Sequence, residues 1–272
     1  MAIRPSVKPV KLAEAVASKL EDLIRDGALR PGDRLAPERD LAEKLGVSRP
    51  SLREGIRILE RAGLLAPTPK GEGARVAAIG ATLADPLVNL LRSRPESAFD
   101  YLEFRGAVEP MAAAHAAQRA AEPDRIAVAR ALERIEAAHL AANPSEEADA
   151  DAALHLAIYE ASHNAVLLHV MRALAEMLRD KALYSRDEFF ARSGMRETLL
   201  RQHREIVAAL LARDAEAARL AAQRHIAFTV EALGEIRAAE ARLEASLRRL
   251  GRAGLAVEEA PEPELRGLRR GD

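Results

Sequence analysis

Residues 29–65 read LRPGDRLAPERDLAEKLGVSRPSLREGIRILERAGLL, and this stretch decides the fold of the N-terminal part. Pro37 can open a helix, since its missing N–H costs nothing in a first turn. Leu41, Ala42 and Leu45 give that helix an apolar stripe. Gly46 supplies the left-handed residue that ends it, and Val47 packs the turn. Ser48 is a good N-cap for a second helix, with Pro50 tolerated in its first turn. Leu52, Ile56 and Leu59 then recur on one buried face, and Gly63 stops the helix. Two short helices about a tight turn, the second starting polar and basic, predict a DNA-reading helix-turn-helix.

The second helix carries Arg49, Arg53, Arg57 and Arg61, each four residues from the last, so the row lies along one side. Arg49 and Arg53 sit near its start, where a recognition helix reaches base edges in the major groove. The arginine fork matches guanine O6 and N7. Ser48 and Ser51 are further candidates for phosphate or base contact. For Arg57 and Arg61 the simpler reading is a solvated face neutralised by Glu54 and Glu60. The following segment, LLAPTPKGEGARVAAI, places two short apolar runs around a Pro/Gly-rich turn. It predicts a small β-hairpin. Beside a helix-turn-helix this is a wing, with Lys70 and Gly71 near the DNA backbone or minor groove. A plain connecting hairpin is the alternative.

Residues 11–76 resemble the winged-helix domain of GntR-type bacterial transcription factors, through PGDRL-x-PERDLAEKLGVSRPSLREGIRILERAGL. The resemblance implies DNA contact by Arg39, Arg49 and Arg53, assisted by the wing near Lys70–Gly71. Ala36 stands where that family usually has proline. The wing reads PKGEGARV in place of a glycine-rich tip.

The whole chain has 272 residues, length enough for two domains. It is 49% hydrophobic but only 3% aromatic, with no Trp, and Ala, Leu, Arg and Glu dominate, which favours helices. The absence of Cys excludes a disulfide framework and thiolate metal ligands and fits a reducing cytoplasm. No apolar run is long enough for a secretion signal or a membrane span. Net charge is −1, yet it is unevenly spread. Residues 1–80 hold 15 Lys and Arg against 11 Asp and Glu, a balance of +4; the rest holds 26 against 31, a balance of −5. A basic head on an acidic body suits phosphate contact by the head alone.

The fold class is therefore mainly α: an N-terminal winged helix-turn-helix (1–78), a linker (79–94), an all-helical bundle (95–240), and a charged tail (241–272) that starts as helix and ends disordered. Breaks at 121–124, 143–146, 163–164, 192–194 and 213–214 divide the bundle into about six helices.

Among the seven His residues, His155 follows Asp151 by four, so the two share a helix face. His203 precedes the turn at Asp214 by 11 residues and His225 follows it by 11. An antiparallel hairpin would bring both to one height. One carboxylate and three imidazoles on three helices make a candidate site for Zn²⁺, Ni²⁺ or Mn²⁺. Amphipathic packing with a solvated Asp is the competing reading. His115, His139, His163 and His169 are read as surface or packing residues.

Residues 95–240 resemble the FCD domain, the helical ligand-binding bundle of the FadR branch of the GntR family. The matching words are YLEFRGAVEP, ADAALHLAIYEASHN, RQHREIV and AAQRHIAF. The resemblance implies a divalent metal on Asp151, His155, His203 and His225, and a small carboxylate in the same pocket. Arg105 is the candidate partner of that carboxylate, against a salt bridge to Glu109 or Glu103. Asn164 is a second pocket candidate, against a helix-capping role. LADPLVNLLRSRPESAFDYLEFRGAVE and IYEASHNAVLLHVMRAL resemble regulators of pyruvate and of lactate metabolism. The resulting expectation is a cytoplasmic homodimer, a repressor on a palindromic double-stranded operator, released by pyruvate or, as alternative, L-lactate. A metal-dependent enzyme is the rival from another class.

Overall fold

A computed structural model describes residues 9–66, 73–77, 97–179 and 193–252. The predicted linker (79–94) and the wing residues Lys70 and Gly71 lie outside the described residues.

The head begins with a helix not singled out in the reading of residues 29–65, α1 (Pro9–Arg25). It is followed by α2 (Glu38–Leu45) and α3 (Arg49–Arg61). Pro37 sits one residue outside α2, in an extended conformation, and its carbonyl accepts the N–H of Asp40 and Leu41. Gly46 takes φ 64°, ψ 33°, a left-handed state that costs glycine nothing. Ser48 caps α3 by accepting the N–H of Ser51. The hairpin is β1 (Leu65–Ala66) with β2 (Arg75–Val76), paired antiparallel as Leu65↔Val76 and Ala66↔Arg75. Residues 33–35 lie along it: Leu35 donates to Ala74, and Val76 donates to Asp33. Leu20, Ile24, Leu52, Leu59 and Leu65, each under 2% exposed, form the core. Each such burial stabilises by about 1.5–3 kcal/mol.

At Gly55 α3 packs close against α1. A Cβ there would stand 2.7 Å from Val16 Cγ1 and 3.0 Å from the Ala13 carbonyl oxygen. Gly→Ala inside a helix ordinarily stabilises by about 1 kcal/mol. Here overpacking reverses the sign, and Gly55→Ala should destabilise the head by about 1–3 kcal/mol. Urea unfolding followed by circular dichroism checks this; a stabilised variant contradicts the packing.

The bundle comprises, among the described residues, α4 (Ser97–Arg119), α5 (Glu122–Leu140), α6 (Pro144–Ala161), α7 (Ala165–Arg179), α8 (Ser193–Leu211) and α9 (Ala215–Arg252). Helix boundaries fall at or beside the predicted breaks 121–124, 143–146, 163–164 and 213–214, and α8 begins within the break at 192–194. Left-handed Ala142, His163 and Arg213 turn the chain at three of them. The core is built from small residues, Ala112, Ala113, Ala116 and Ala117, interleaved with Leu154, Ile158, Met171, Ile206 and Leu210. Alanine faces let helices approach closely, which is why so few aromatics suffice. α6 packs against α4, α5 and α7, so its inward face is wholly enclosed.

The described residues from Glu231 onward belong to a second unit, separate from the rest of the chain. Its described part is the end of α9, where Leu243 and Leu247 are exposed and Arg248 pairs with Glu244 at 3.4 Å. The helix runs to Arg252, well into the predicted tail, and the remainder lies outside the described residues. No helix among the described residues is long and apolar enough to cross a membrane.

Candidate functional site

On the head, Arg39, Arg49 and Arg53 are all exposed. Arg53 Nε donates to Glu38 Oε2 at 2.7 Å, and Arg39 Nε to Asp40 Oδ1 at 3.1 Å. Exposed pairs of this kind contribute about 0–1 kcal/mol, so either guanidinium can leave its carboxylate for a stronger partner. Ser51 differs from the expectation. It is buried, and its hydroxyl lies 2.8 Å from that of Ser48. Its hydroxyl serves the cap of α3 instead of facing outward. Arg57 and Arg61 both reach Glu54, at 3.3 and 3.4 Å.

In the bundle, Asp151 and His155 come from α6, His203 from α8 and His225 from α9. One donor atom from each lies within 4.8 Å of the others, and all four residues are buried. The His203 and His225 rings are 4.5 Å apart by centroid, as the equal spacing about Asp214 requires of an antiparallel hairpin. Asp151 Oδ1 stands 3.0 Å from His203 Nε2 and 3.5 Å from His155 Nε2.

Donors bound at 2.0–2.2 Å to one ion lie up to about 4.4 Å apart, so a small closure of the cluster would seat a cation. Two observations say the residues fit one. His203 is 0% exposed, its Nδ1 makes no hydrogen bond, and its Nε2 faces the Asp151 carboxylate inside the cluster. Burying unpaired ring nitrogens is costly. The charge balance agrees. Asp151 and Glu109 are both buried, with Arg105 the buried guanidinium beside Glu109. Burial lowers His203, and burial with the neighbouring His203 and His155 rings holds His225 well below the ordinary histidine value. Those imidazoles are thus kept neutral, the form that binds metal. Three nitrogens and one carboxylate oxygen suit zinc, nickel or manganese.

Behind the cluster lies a network built on Glu109, one turn beyond Arg105 on α4. Arg105 donates from Nε to Glu109 Oε2 at 2.9 Å and from Nη2 to Oε1 at 3.2 Å. Tyr159 donates its hydroxyl to Oε2 at 3.0 Å, and Oε1 meets His155 Nδ1. Burial would raise the Glu109 carboxyl, but Arg105 and then His155 outweigh it and hold it well below the carboxylate range. Burial and the adjacent carboxylate push Tyr159 well up, so it stays a donor. On the other side, His225 Nδ1 lies 3.1 Å from Gln202 Oε1.

Both effector candidates sit in the competing arrangement named for them. Arg105 is only 2% exposed and doubly bonded to Glu109, the competing salt bridge. Asn164 accepts the N–H of Leu167 at 3.1 Å and caps α7. Glu109, Tyr159 and Gln202 were not singled out as site residues. Gln202 adjoins His203 in RQHREIV, but nothing local shows which way either points. The other histidines stay apart from the cluster: His139 pairs with Glu147 and His163 with Asp124, and His169 lies by the Arg25 carbonyl.

Residues 12–76 match the model of bacterial regulatory proteins of the gntR family, and residues 100–228 match that of the FCD domain. A protein of Escherichia coli (strain K12) named for regulation of the L-lactate dehydrogenase operon is 36% identical over 245 residues, covering 87% of this chain and 93% of its own. The Glc operon transcriptional activator of the same strain is 34% identical over 229 residues, covering 83% and 90%. The transcriptional regulator LutR of Bacillus subtilis (strain 168) is 33% identical over 210 residues, covering 73% and 92%. All three are named as regulators, and none as an enzyme. With the helix-turn-helix, the hairpin and the enclosed bundle in place, the chain belongs to the GntR family of bacterial transcription regulators and carries that family's FCD domain.

Proposed function

We propose that this regulator senses a small 2-oxo or 2-hydroxy carboxylate at a divalent metal held by Asp151, His155, His203 and His225. The observation that carries the reading is the convergence of these four buried donors from three helices, with His203 Nε2 turned to the Asp151 carboxylate at 3.0 Å. A metal there supplies a Lewis-acidic position for the acid's oxygens. Arg105 acts from behind Glu109, as a fixed positive field and not as a direct grip; Asn164 is left to its cap. L-lactate is the first effector to try, because a relative's name concerns the L-lactate dehydrogenase operon; pyruvate is the second.

The head binds DNA through Arg39, Arg49 and Arg53, with Ser48 near the backbone and the wing at Lys70 and Gly71. The chain acts as a homodimer on a two-fold operator, and the acid relieves repression. Acid binding can shift DNA affinity only by its preference between the two states.

The test is calorimetric titration of L-lactate, pyruvate and, as control, citrate into zinc-loaded protein, with operator affinity measured alongside. Saturable binding of one small acid, lost on chelation and accompanied by a change in operator affinity, is the expected result. Binding that survives chelation would overturn the role of the metal in sensing. A melting temperature that drops on chelation with an unchanged acid response would make the ion structural.

A further inference from the structure

We infer that Glu109 is a positioning residue of the metal centre, clamped by Arg105 and Tyr159 so that its carboxylate holds His155 with Nε2 toward the ion. The inference rests on the metal reading above and extends it to residues outside the ligand set.

Glu109 is 1% exposed, and four contacts account for its acceptor capacity: two from Arg105, one from Tyr159 and the one to His155 Nδ1. Every partner is itself buried. Stability alone does not explain such an arrangement. A buried Arg–Glu pair pays a desolvation penalty that its attraction barely recovers, and apolar side chains of similar volume often serve as well. The arrangement does explain the His155 ring. An imidazole bound through Nε2 must keep its proton on Nδ1, and an acceptor at Nδ1 sets both tautomer and ring orientation. Glu109 Oε1 stands at Nδ1, while Asp151 faces Nε2 from the other side. The carboxylate at His155 contrasts with the neutral amide of Gln202 at His225. His155 is therefore the ligand made most electron-rich. Arg105 and Tyr159 touch Glu109 from α4 and α6, so the clamp also ties the ligand helix α6 to α4.

The experiment measures zinc affinity of the full chain by competition with a chromophoric chelator, and the visible absorption of the cobalt-loaded protein. Glu109→Gln should weaken zinc 10–100-fold and alter the cobalt bands. Tyr159→Phe, which removes one of the four contacts, should weaken it less. Because Glu109→Gln leaves the Arg105 charge buried and unpaired, a second variant replaces both partners, Arg105→Met with Glu109→Leu. This removes the charges together and should keep the metal-free melting temperature close to that of the wild type. Zinc affinity of the double variant should remain at least tenfold weakened. A folded double variant that binds zinc within twofold of the wild type, with unchanged cobalt bands, overturns the inference and leaves the metal reading intact. A wild type that binds neither ion overturns the metal reading and this inference with it.

Discussion

Replacing His203 by alanine is expected to weaken zinc binding by about 10²–10³-fold. A buried site of this kind binds zinc with roughly 10–16 kcal/mol. Four ligands share that energy, so removing one forfeits about a quarter, or about 3–4 kcal/mol. His203 is the ligand to choose because it is 0% exposed and, apart from Asp151 at Nε2, its ring nitrogens have no partner. The deletion also leaves a cavity, which lowers metal-free stability by about 2–4 kcal/mol. His203→Gln, which keeps most of the volume, separates the two effects: zinc affinity should still collapse while the metal-free melting temperature largely recovers. Competition with a chelator reads the first quantity and thermal unfolding the second. In the wild type the affinity should also fall as pH is lowered. Burial lowers His155, but Glu109 and Asp151 together outweigh it and the ring ends above its ordinary value. A cation must displace that proton, so lower pH favours the metal-free form and binding at neutral pH releases acid. Retained affinity in both His203 variants would show that zinc sits elsewhere.

Arg49→Ala and Arg53→Ala are each expected to cost about 1–3 kcal/mol of specific operator binding, or about 5–150-fold at fixed salt. Both project from the first turns of α3, and both are exposed. Arg53 gives up only an exposed ion pair with Glu38 when it moves to DNA. Arg39→Ala should behave differently. It should weaken all sequences alike and flatten the salt dependence by about one counterion. Arg57→Ala is the control, since that side chain already faces Glu54 on its own helix. Fluorescence anisotropy with operator and scrambled duplexes at two salt concentrations separates these cases. An Arg53 variant with unchanged discrimination would mean that α3 is not the reading helix.

The head was legible because its signals are local. Gly46, the Ser48 cap and the Leu52, Ile56, Leu59 period each act within one or two turns, and the structure has each at its expected place. Gly55 was not legible. Its lack of a side chain answers to Val16 and Ala13 on α1, and helical period says nothing about a neighbour forty residues away. The pairing of residues 33–35 with the hairpin is of the same kind.

The candidate site divides along the same line. Asp151 with His155, and His203 with His225 about Asp214, could be placed by counting, since an i, i+4 step and an antiparallel hairpin are set by helix geometry. Arg105 and Glu109 also stand four apart, but that spacing reads the same on a solvated face as in a core. Likewise, Asn164 in a loop word fits a pocket wall or a cap equally well. The sequence by itself determined the head, the helical bundle and which residues share a helix face, because those follow from backbone period and capping. Only the tertiary structure decided that Arg105 turns to Glu109, that Tyr159 and His155 meet the same carboxylate, and that Ser51 is spent on a cap. Those partners depend on how each helix is rotated against its neighbours, and that rotation is set by the packing of the whole core.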